Sequence, residues 1–390
     1  MIMQISSRFD GGAVEVVDAS DGQNVRLRVR PDTAADFAQW FYFRVDGMAE
    51  QRCTYRFENA AQCAFPGGWQ GYRVVASYDT ENWFRVDAEY DGQVLAFSHR
   101  AEHDTVYYAY FEPYGEARHH QFLGRIRRQG IARVHSVGDS VAGRALECVT
   151  VGKDNGTAGE PTPVIWIVAR QHPGETMAEW FVEGLLKRLL GLDDWAGDPV
   201  GRLLREHARF HVVPNINPDG AALGNLRTNA AGANLNREWL TPSATHSPEV
   251  LHVRNAIEQT GCDMFFDIHG DETLPYVFVA GSEMLPDFTE RQTLEQRHFV
   301  DAFKTASPDF QDRYGYEADK YREDALKLAS KYFAHRYRCL SLTLEMPFKD
   351  NADLPDGIHG WSGARSSALG AAMLQAVLAQ VRAFPKSATQ

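Results

Sequence analysis

Fourteen histidines and 24 glutamates in 390 residues should give about one His-x-x-Glu pair by chance. The sequence holds four: His99/Glu102, His172/Glu175, His246/Glu249 and His269/Glu272. Context separates them. His99 sits in an aromatic, strand-like stretch. His246 lies in a Thr-Pro-Ser loop, where Ser247 and Pro248 read as the cap and first residue of a helix. His172 and His269 each come just after an apolar run, at residues 163–169 and 262–268. In open α/β sheets the chemistry gathers outside the carboxyl ends of the strands. Pro173 makes His172 extended and can open a helix, which puts Glu175 in the first turn. Two histidines and one carboxylate leave a fourth position free for water, the make-up of a catalytic zinc site. The expected ligands are His172, Glu175 and His269, with Asp271 and Glu272 as rivals on position alone.

Two more features could do chemistry. Glu345 ends a third apolar run, 339–344, between Leu344 and Met346. A carboxylate there is costly unless it is paired, coordinated or functional. It could act as general base beside a metal-bound water. Segment 224–239 is Asn-rich and carries Arg227 and Arg237. A guanidinium grips a carboxylate in a fork, and a neighbouring amide such as Asn236 adds a donor. The plainer reading is a turn-rich loop with solvent-facing arginines.

The elements that must position these groups fall into two stretches. Residues 1–120 hold 11 Arg, no Lys, 18 acids and 21 of the 45 aromatics. Short alternating runs such as 25–30, 40–45, 53–57 and 105–110 are punctuated by Asp-Gly and Gly-Gly pairs, which predicts an antiparallel sandwich or small barrel. A linker is expected near residues 112–120. Beyond it, strand runs at 163–169, 210–214, 262–268 and 339–344 alternate with helical patterns at 176–190, 247–259, 289–305, 322–337 and 363–384. That alternation predicts an α/β unit with a mixed sheet flanked by helices. The division is placed at 1–118, an all-β antiparallel sandwich, and 119–390, an α/β catalytic domain.

Composition narrows the function. The net charge is −12, with no long basic block, which argues against nucleic acid or an anionic membrane as partner. No apolar run is long enough for a membrane span. The N-terminus lacks the pattern of a secretory signal. Five widely spaced cysteines with no Cys-x-x-Cys indicate neither a thiolate metal site nor a disulfide framework, and a cytoplasmic location is expected.

Taken in order, these pieces resemble the zinc metallocarboxypeptidases, specifically a bacterial member of their cytosolic carboxypeptidase branch. The resemblance rests on His172-Pro-Gly-Glu175, Asn217-Pro-Asp-Gly220, Gly224-Asn-Leu-Arg227, Asn234-Leu-Asn236-Arg237, Asp267-Ile-His269-Gly270 and Thr343-Leu-Glu345. Gln39-Trp-Phe-Tyr-Phe-Arg-Val45 and Glu112-Pro-Tyr114 are similar to that branch's β-sandwich. The resemblance implies one Zn2+ per chain on His172, Glu175 and His269. It implies Glu345 as general base and proton shuttle, and Arg227 as the group that polarises the scissile carbonyl. Asn236 and Arg237 would clamp the terminal carboxylate of a peptide or protein substrate. It also implies a mobile tyrosine, for which Tyr314, Tyr316, Tyr321 and Tyr332 all qualify. Acidic, Glu-type C-termini are the implied substrates, and seven Lys/Arg in 313–338 would suit them. An aspartoacylase-like amidohydrolase of small N-acyl amino acids, and an inactive scaffold with a binding module, are the alternatives.

Overall fold

Nine strands build the first unit: β1 (Gln4–Ser6), β2 (Glu15–Asp18), β3 (Val25–Arg28), β4 (Tyr42–Asp46), β5 (Arg52–Phe57), β6 (Arg73–Ser77), β7 (Trp83–Tyr90), β8 (Leu95–Arg100) and β9 (Thr105–Ala109). The computed structural model describes residues 3–153, 162–317 and 323–384. Strand order is β1-β4-β9-β6-β7-β8-β5-β3-β2, and every pair is antiparallel except β3–β5. Strand β7 carries the chain between layers, pairing through residues 83–87 with β6 and through 88–90 with β8. The aromatic surplus fills the space between the layers. Phe41 packs on Phe57 at 4.6 Å, and Tyr55 packs on Phe97 and Tyr108 at 4.8 and 5.1 Å. The unit is thus the expected sandwich, and most of its aromatics are core.

The second unit holds β10 (Arg133–Asp139), β11 (Ala145–Gly152), β12 (Val164–Ala169), β13 (Arg209–Val213), β14 (Met264–Asp271), β15 (Phe278–Ala280) and β16 (Leu340–Pro347). Their order is β10-β11-β13-β12-β14-β16-β15, with β13-β12-β14-β16 parallel and the flanking strands antiparallel. The helices are α1 (Glu116–Gln129), α2 (Met177–Leu190), α3 (Pro199–His207), α4 (Pro218–Leu223), α5 (Pro248–Thr260), α6 (Glu290–Ala306), α7 (Ala329–Tyr337) and α8 (Gly363–Ala383). The strand period of two divides β12 between two layers. Ile165, Ile167 and Ala169 join the core under α2, α3, α6 and α8. Val164, Trp166 and Val168 join the core under α5 and α7.

Several elements differ from expectation. Helix α1 begins inside the expected linker, and the 118/119 division falls in its first turn. Strands β14 and β16 run past the apolar residues because they pair with each other as far as Asp271 and Pro347. The expected helix over 322–337 is α7 from Ala329 onward, preceded by a short 3-10 turn at Glu323–Lys327 and an extended Leu328 (φ −82°, ψ 138°). Ser247 precedes α5 as expected but makes no capping bond. Its hydroxyl accepts from Ser243 N and donates to Glu238 instead.

The two units share an interface built around buried Arg85 of β7. Its guanidinium donates to the carbonyls of Phe348 (2.9 Å), His359 (3.0 Å) and Trp361 (2.8 Å) in the second unit, and of Arg73 (2.7 Å) in the first. Tyr110 stacks on Phe348 at 4.5 Å, just beyond the end of β16. Arg85→Ala would strand several buried carbonyls, so it should cost about 3 kcal/mol, read as a lower urea midpoint.

A second junction ties α1 to the catalytic sheet. His119 sits between Glu179 (2.5 Å) and Glu147 (2.9 Å). Burial opposes its charge, but the two carboxylates outweigh burial and push its pKa up to about 9. Because the folded pKa is raised, this contribution is complete below pH ~6.5 and is lost as pH rises through the folded value. Stability should therefore fall between pH 7 and 9.5, and His119→Gln should flatten that slope in urea titrations at stepped pH.

Candidate active site

The turn 172–175 is tight: Glu175 N–H donates to the His172 carbonyl at 3.1 Å. Glu175 therefore stands before α2, not inside it as the sequence suggested. The cause is packing at Gly174, where an added Cβ would lie 3.0 Å from the Leu226 backbone. The turn stays against that loop instead of winding into the helix.

Glu175 joins the two histidines. Its Oε1 lies 2.7 Å from His172 Nδ1 and its Oε2 2.8 Å from His269 Nδ1. The Gly270 N–H donates to the same Oε2 at 3.0 Å. One donor atom from each of the three residues lies within 4.8 Å of the others. The far ring atoms face acceptors, His172 Nε2 at 3.1 Å from Asn234 Oδ1 and His269 Nε2 at 2.9 Å from Asp267 Oδ2. Asp267 is itself held by the Gln171 amide at 2.7 and 2.8 Å. Partners on Nε2 leave Nδ1 of both rings as the atom that could reach a metal, with the outer support that metal-binding histidines use. The donor set thus fits zinc: two imidazoles and one carboxylate, all buried.

The charges follow from this geometry. Burial pulls His172 down to about 4, with Arg227 acting the same way. Burial also opposes charge on His269, yet Asp267 and Glu175 hold its pKa well above the usual imidazole range. Glu175 stays ionised despite burial because both histidines face it. Neither rival carboxylate belongs to the three-donor group. Asp271 accepts from Thr273 N and Leu274 N at 2.7 and 2.6 Å and so closes a turn. Glu272 is buried beside the cleft, and burial pushes its pKa up to about 8.

Glu345 stands in parallel register with His269 across β14 and β16. Its Oε1 accepts from the Tyr316 hydroxyl at 3.0 Å, and the hydroxyl oxygen of Tyr316 is also 2.8 Å from Asp271 Oδ2. Its Oε2 is buried without a partner. Burial raises the Glu345 pKa well above the carboxylate range; His269 counters this, while Glu175 and Asp271 add to it.

Among the described tyrosines of the four, Tyr316 is the one that meets Glu345. Tyr314 stacks on Tyr276 at 4.3 Å. Tyr332 packs against Phe333 at 5.2 Å and under Arg254. Tyr321 lies outside the described residues, as do Lys320 and Arg322. No local pattern marked Tyr316. Asp267 did leave a signal: it lies two residues before His269 on one strand, hence on the same face.

Arg227 and Arg237 both border a cleft of about 980 Å³ that also holds His172, Glu175, His269 and Glu345. The Arg227 guanidinium lies over the rings of Phe65 and Phe37, at 5.3 and 5.8 Å. Arg237 donates to the Asn236 carbonyl at 2.6 Å. The Asn236 amide is already engaged, its Oδ1 accepting from Ala329 N at 2.9 Å and its Nδ2 lying 3.3 Å from His269 Nε2. Further out the cleft is mixed in charge, with Arg297, Arg313 and Lys331 beside Glu283, Asp312 and Glu317.

Comparison with known proteins agrees with this geometry. Residues 5–111 match the cytosolic carboxypeptidase N-terminal domain, and residues 120–359 match the zinc carboxypeptidase family. A metallo-carboxypeptidase structure from Burkholderia cenocepacia is 60% identical with a TM-score of 0.96, covering 98% of this chain and 100% of that one. A Pseudomonas aeruginosa metallo-carboxypeptidase, solved in complex with (2-guanidinoethylmercapto)succinic acid, is 43% identical with a TM-score of 0.92, covering 97% and 99%. Cytosolic carboxypeptidase 6 of Mus musculus is 29% identical over 297 residues, which is 70% of this chain and 54% of that protein. The chain thus spans about half the length of the mouse relative. With its sandwich, its His-Glu-His cluster and these matches together, the chain belongs to the zinc carboxypeptidase family, in the cytosolic carboxypeptidase branch, and is a metallocarboxypeptidase.

Proposed function

We propose that this enzyme removes C-terminal residues from peptides or proteins with one zinc per chain, held by His172, Glu175 and His269. The observation that carries the reading is the unpaired, buried Oε2 of Glu345, one strand from His269 and in register with it. Zinc, when bound there, acidifies its water toward neutrality and polarises a carbonyl. Glu345 takes the water's proton on Oε2 and passes it to the leaving amine. Tyr316 keeps Oε1 occupied and so orients the carboxylate. Arg227, held over two aromatic rings, meets the negative charge that develops on the carbonyl oxygen. Arg237, with Asn236 beside it, receives the terminal carboxylate and restricts cleavage to the chain end.

The finer reading is a preference for acidic C-termini. Arg297 and Lys331 on the cleft wall support it, although Glu283, Asp312 and Glu317 share that wall. The Pseudomonas relative's ligand carries both carboxylates and a guanidinium, and a wall of mixed charge suits either end of such a molecule. We also place the division of the units at residues 118 and 119. We place the protein in the cytoplasm, since all five cysteines are buried and unpaired, as a reducing compartment favours.

Arg237→Ala should raise KM by about 10²-fold for peptides with a free C-terminus. Paired free and amidated peptides check this. Equal cleavage of both by the wild type would remove Arg237 and Asn236 from the role of clamp.

A further inference from the structure

Asp32 belongs to the sandwich, between β3 and β4, and only 6% of its surface is exposed. Its carboxylate reaches into the catalytic unit. It accepts from three consecutive backbone N–H groups, Leu226 at 2.6 Å, Arg227 at 2.8 Å and Thr228 at 2.9 Å, and from the Thr228 hydroxyl at 3.0 Å. Successive N–H groups converging on one anion form a nest, which fixes the backbone that supplies them. Thr33 N–H donates to Asn225 Oδ1 at 2.9 Å, and Arg30 donates to the Leu223 carbonyl at 2.7 Å, so the sandwich grips the loop at three points.

The other side of this loop rests on the metal-ligand turn. Gly174 N–H donates to the Leu226 carbonyl at 2.9 Å. The main chain at Arg227 is therefore clamped between Asp32 and the turn that carries His172 and Glu175. The Arg227 side chain is set by the sandwich as well, through Phe37 and Phe65. Phe65 is pinned by the fully buried Gln39, whose amide accepts from Phe65 N at 3.1 Å and donates to Phe65 O at 3.2 Å.

We infer that the sandwich is a working part of the catalytic apparatus, with Asp32 a positioning residue that aims Arg227 at the developing oxyanion. The inference rests on the role proposed for Arg227. A donor helps the transition state only if it is in place before charge develops. A displacement of about 1 Å can cost about 10²-fold. Asp32 does not touch substrate in this account; it acts through the backbone of residues 226–228.

A double-mutant cycle on the full-length, zinc-loaded enzyme tests this, using its best peptide substrate. Asp32→Ala should retain one zinc and a cooperative unfolding transition, while kcat falls about 10²-fold and KM stays within about threefold. Asp32→Asn, which keeps one acceptor oxygen, should fall between. In an Arg227→Ala background, Asp32→Ala should add less than about threefold, because the residue it positions is gone. Losses that multiply, or an Asp32→Ala enzyme within about threefold of wild type, would overturn the inference. If Asp32→Ala does not fold, Asp32→Asn in both backgrounds carries the same comparison. An Arg227→Ala enzyme with near-normal turnover would instead strike down the oxyanion role itself, a pattern distinct from a crippled Arg227→Ala beside an unaffected Asp32→Ala.

Discussion

Glu345→Gln should keep its zinc and lose about 10³-fold in kcat. The substitution is close to isosteric, and Gln can still accept from Tyr316, so the strand register with His269 should survive. What disappears is the ability to take a proton. Because hydrolysis needs that proton twice, first from water and then for the amine, no other described group substitutes. Asp271 closes a turn through Oδ1 and faces the Tyr316 hydroxyl through Oδ2, and Glu272 is outside the three-donor group. Metal analysis beside steady-state kinetics checks the expectation. Near-wild-type turnover with full metal would remove Glu345 from the mechanism.

His269→Ala should abolish activity for a different reason, by lowering zinc affinity well over about 10²-fold. The ring bridges two buried carboxylates, Glu175 at 2.8 Å and Asp267 at 2.9 Å. Without it both anions lose a partner, so the variant should also be less stable. A readout independent of turnover is available. Zinc that binds only the folded state raises the melting temperature with concentration. Wild-type protein stripped of metal should show that rise between 0 and about 100 μM zinc, and His269→Ala should not. A normal zinc-dependent rise in the variant would mean that the metal sits elsewhere.

The parts of this site that a sequence can carry are those whose signals are local. His172 and Glu175 sit three apart around Pro173, and His269 follows an apolar run, so the candidate ligands are legible before any fold is known. Glu345 is legible because an acid between Leu344 and Met346 contradicts its surroundings. The N-terminal sandwich is legible from alternation and Asp-Gly turns. Other parts depend on distant partners. Glu175 lies outside α2 because of one contact with Leu226, which no local pattern contains. Strands β14 and β16 extend through polar residues because each satisfies the other's backbone. Helix α1 buries only Phe122, Leu123 and Ile126 among charged neighbours, so its periodicity is faint. Tyr316 comes from an irregular segment with other tyrosines nearby. The Asp32 bonds span 194 to 196 residues, and an isolated Asp in a loop announces nothing.

The charge pattern also resolves only in three dimensions. The described basic residues of 313–338 do not act as a block. Arg313 pairs with Asp353 at 3.0 Å, while Lys331 faces the cleft. Arg227 and Arg237, drawn from the Asn-rich loop, line the cleft together with the His-Glu-His cluster. Among the described residues, the positive charge at the cleft comes from that loop together with Arg297, Arg313 and Lys331.

The most direct measurement is residue release from a peptide library whose members differ in the last residue, each as free acid and as amide, with and without chelator. The account predicts sequential loss of C-terminal residues from free acids, fastest for Glu. It predicts no release from amides, loss of all activity with chelator, and recovery on adding zinc. Chelator-resistant release, internal cleavage, or equal release from amides would contradict it.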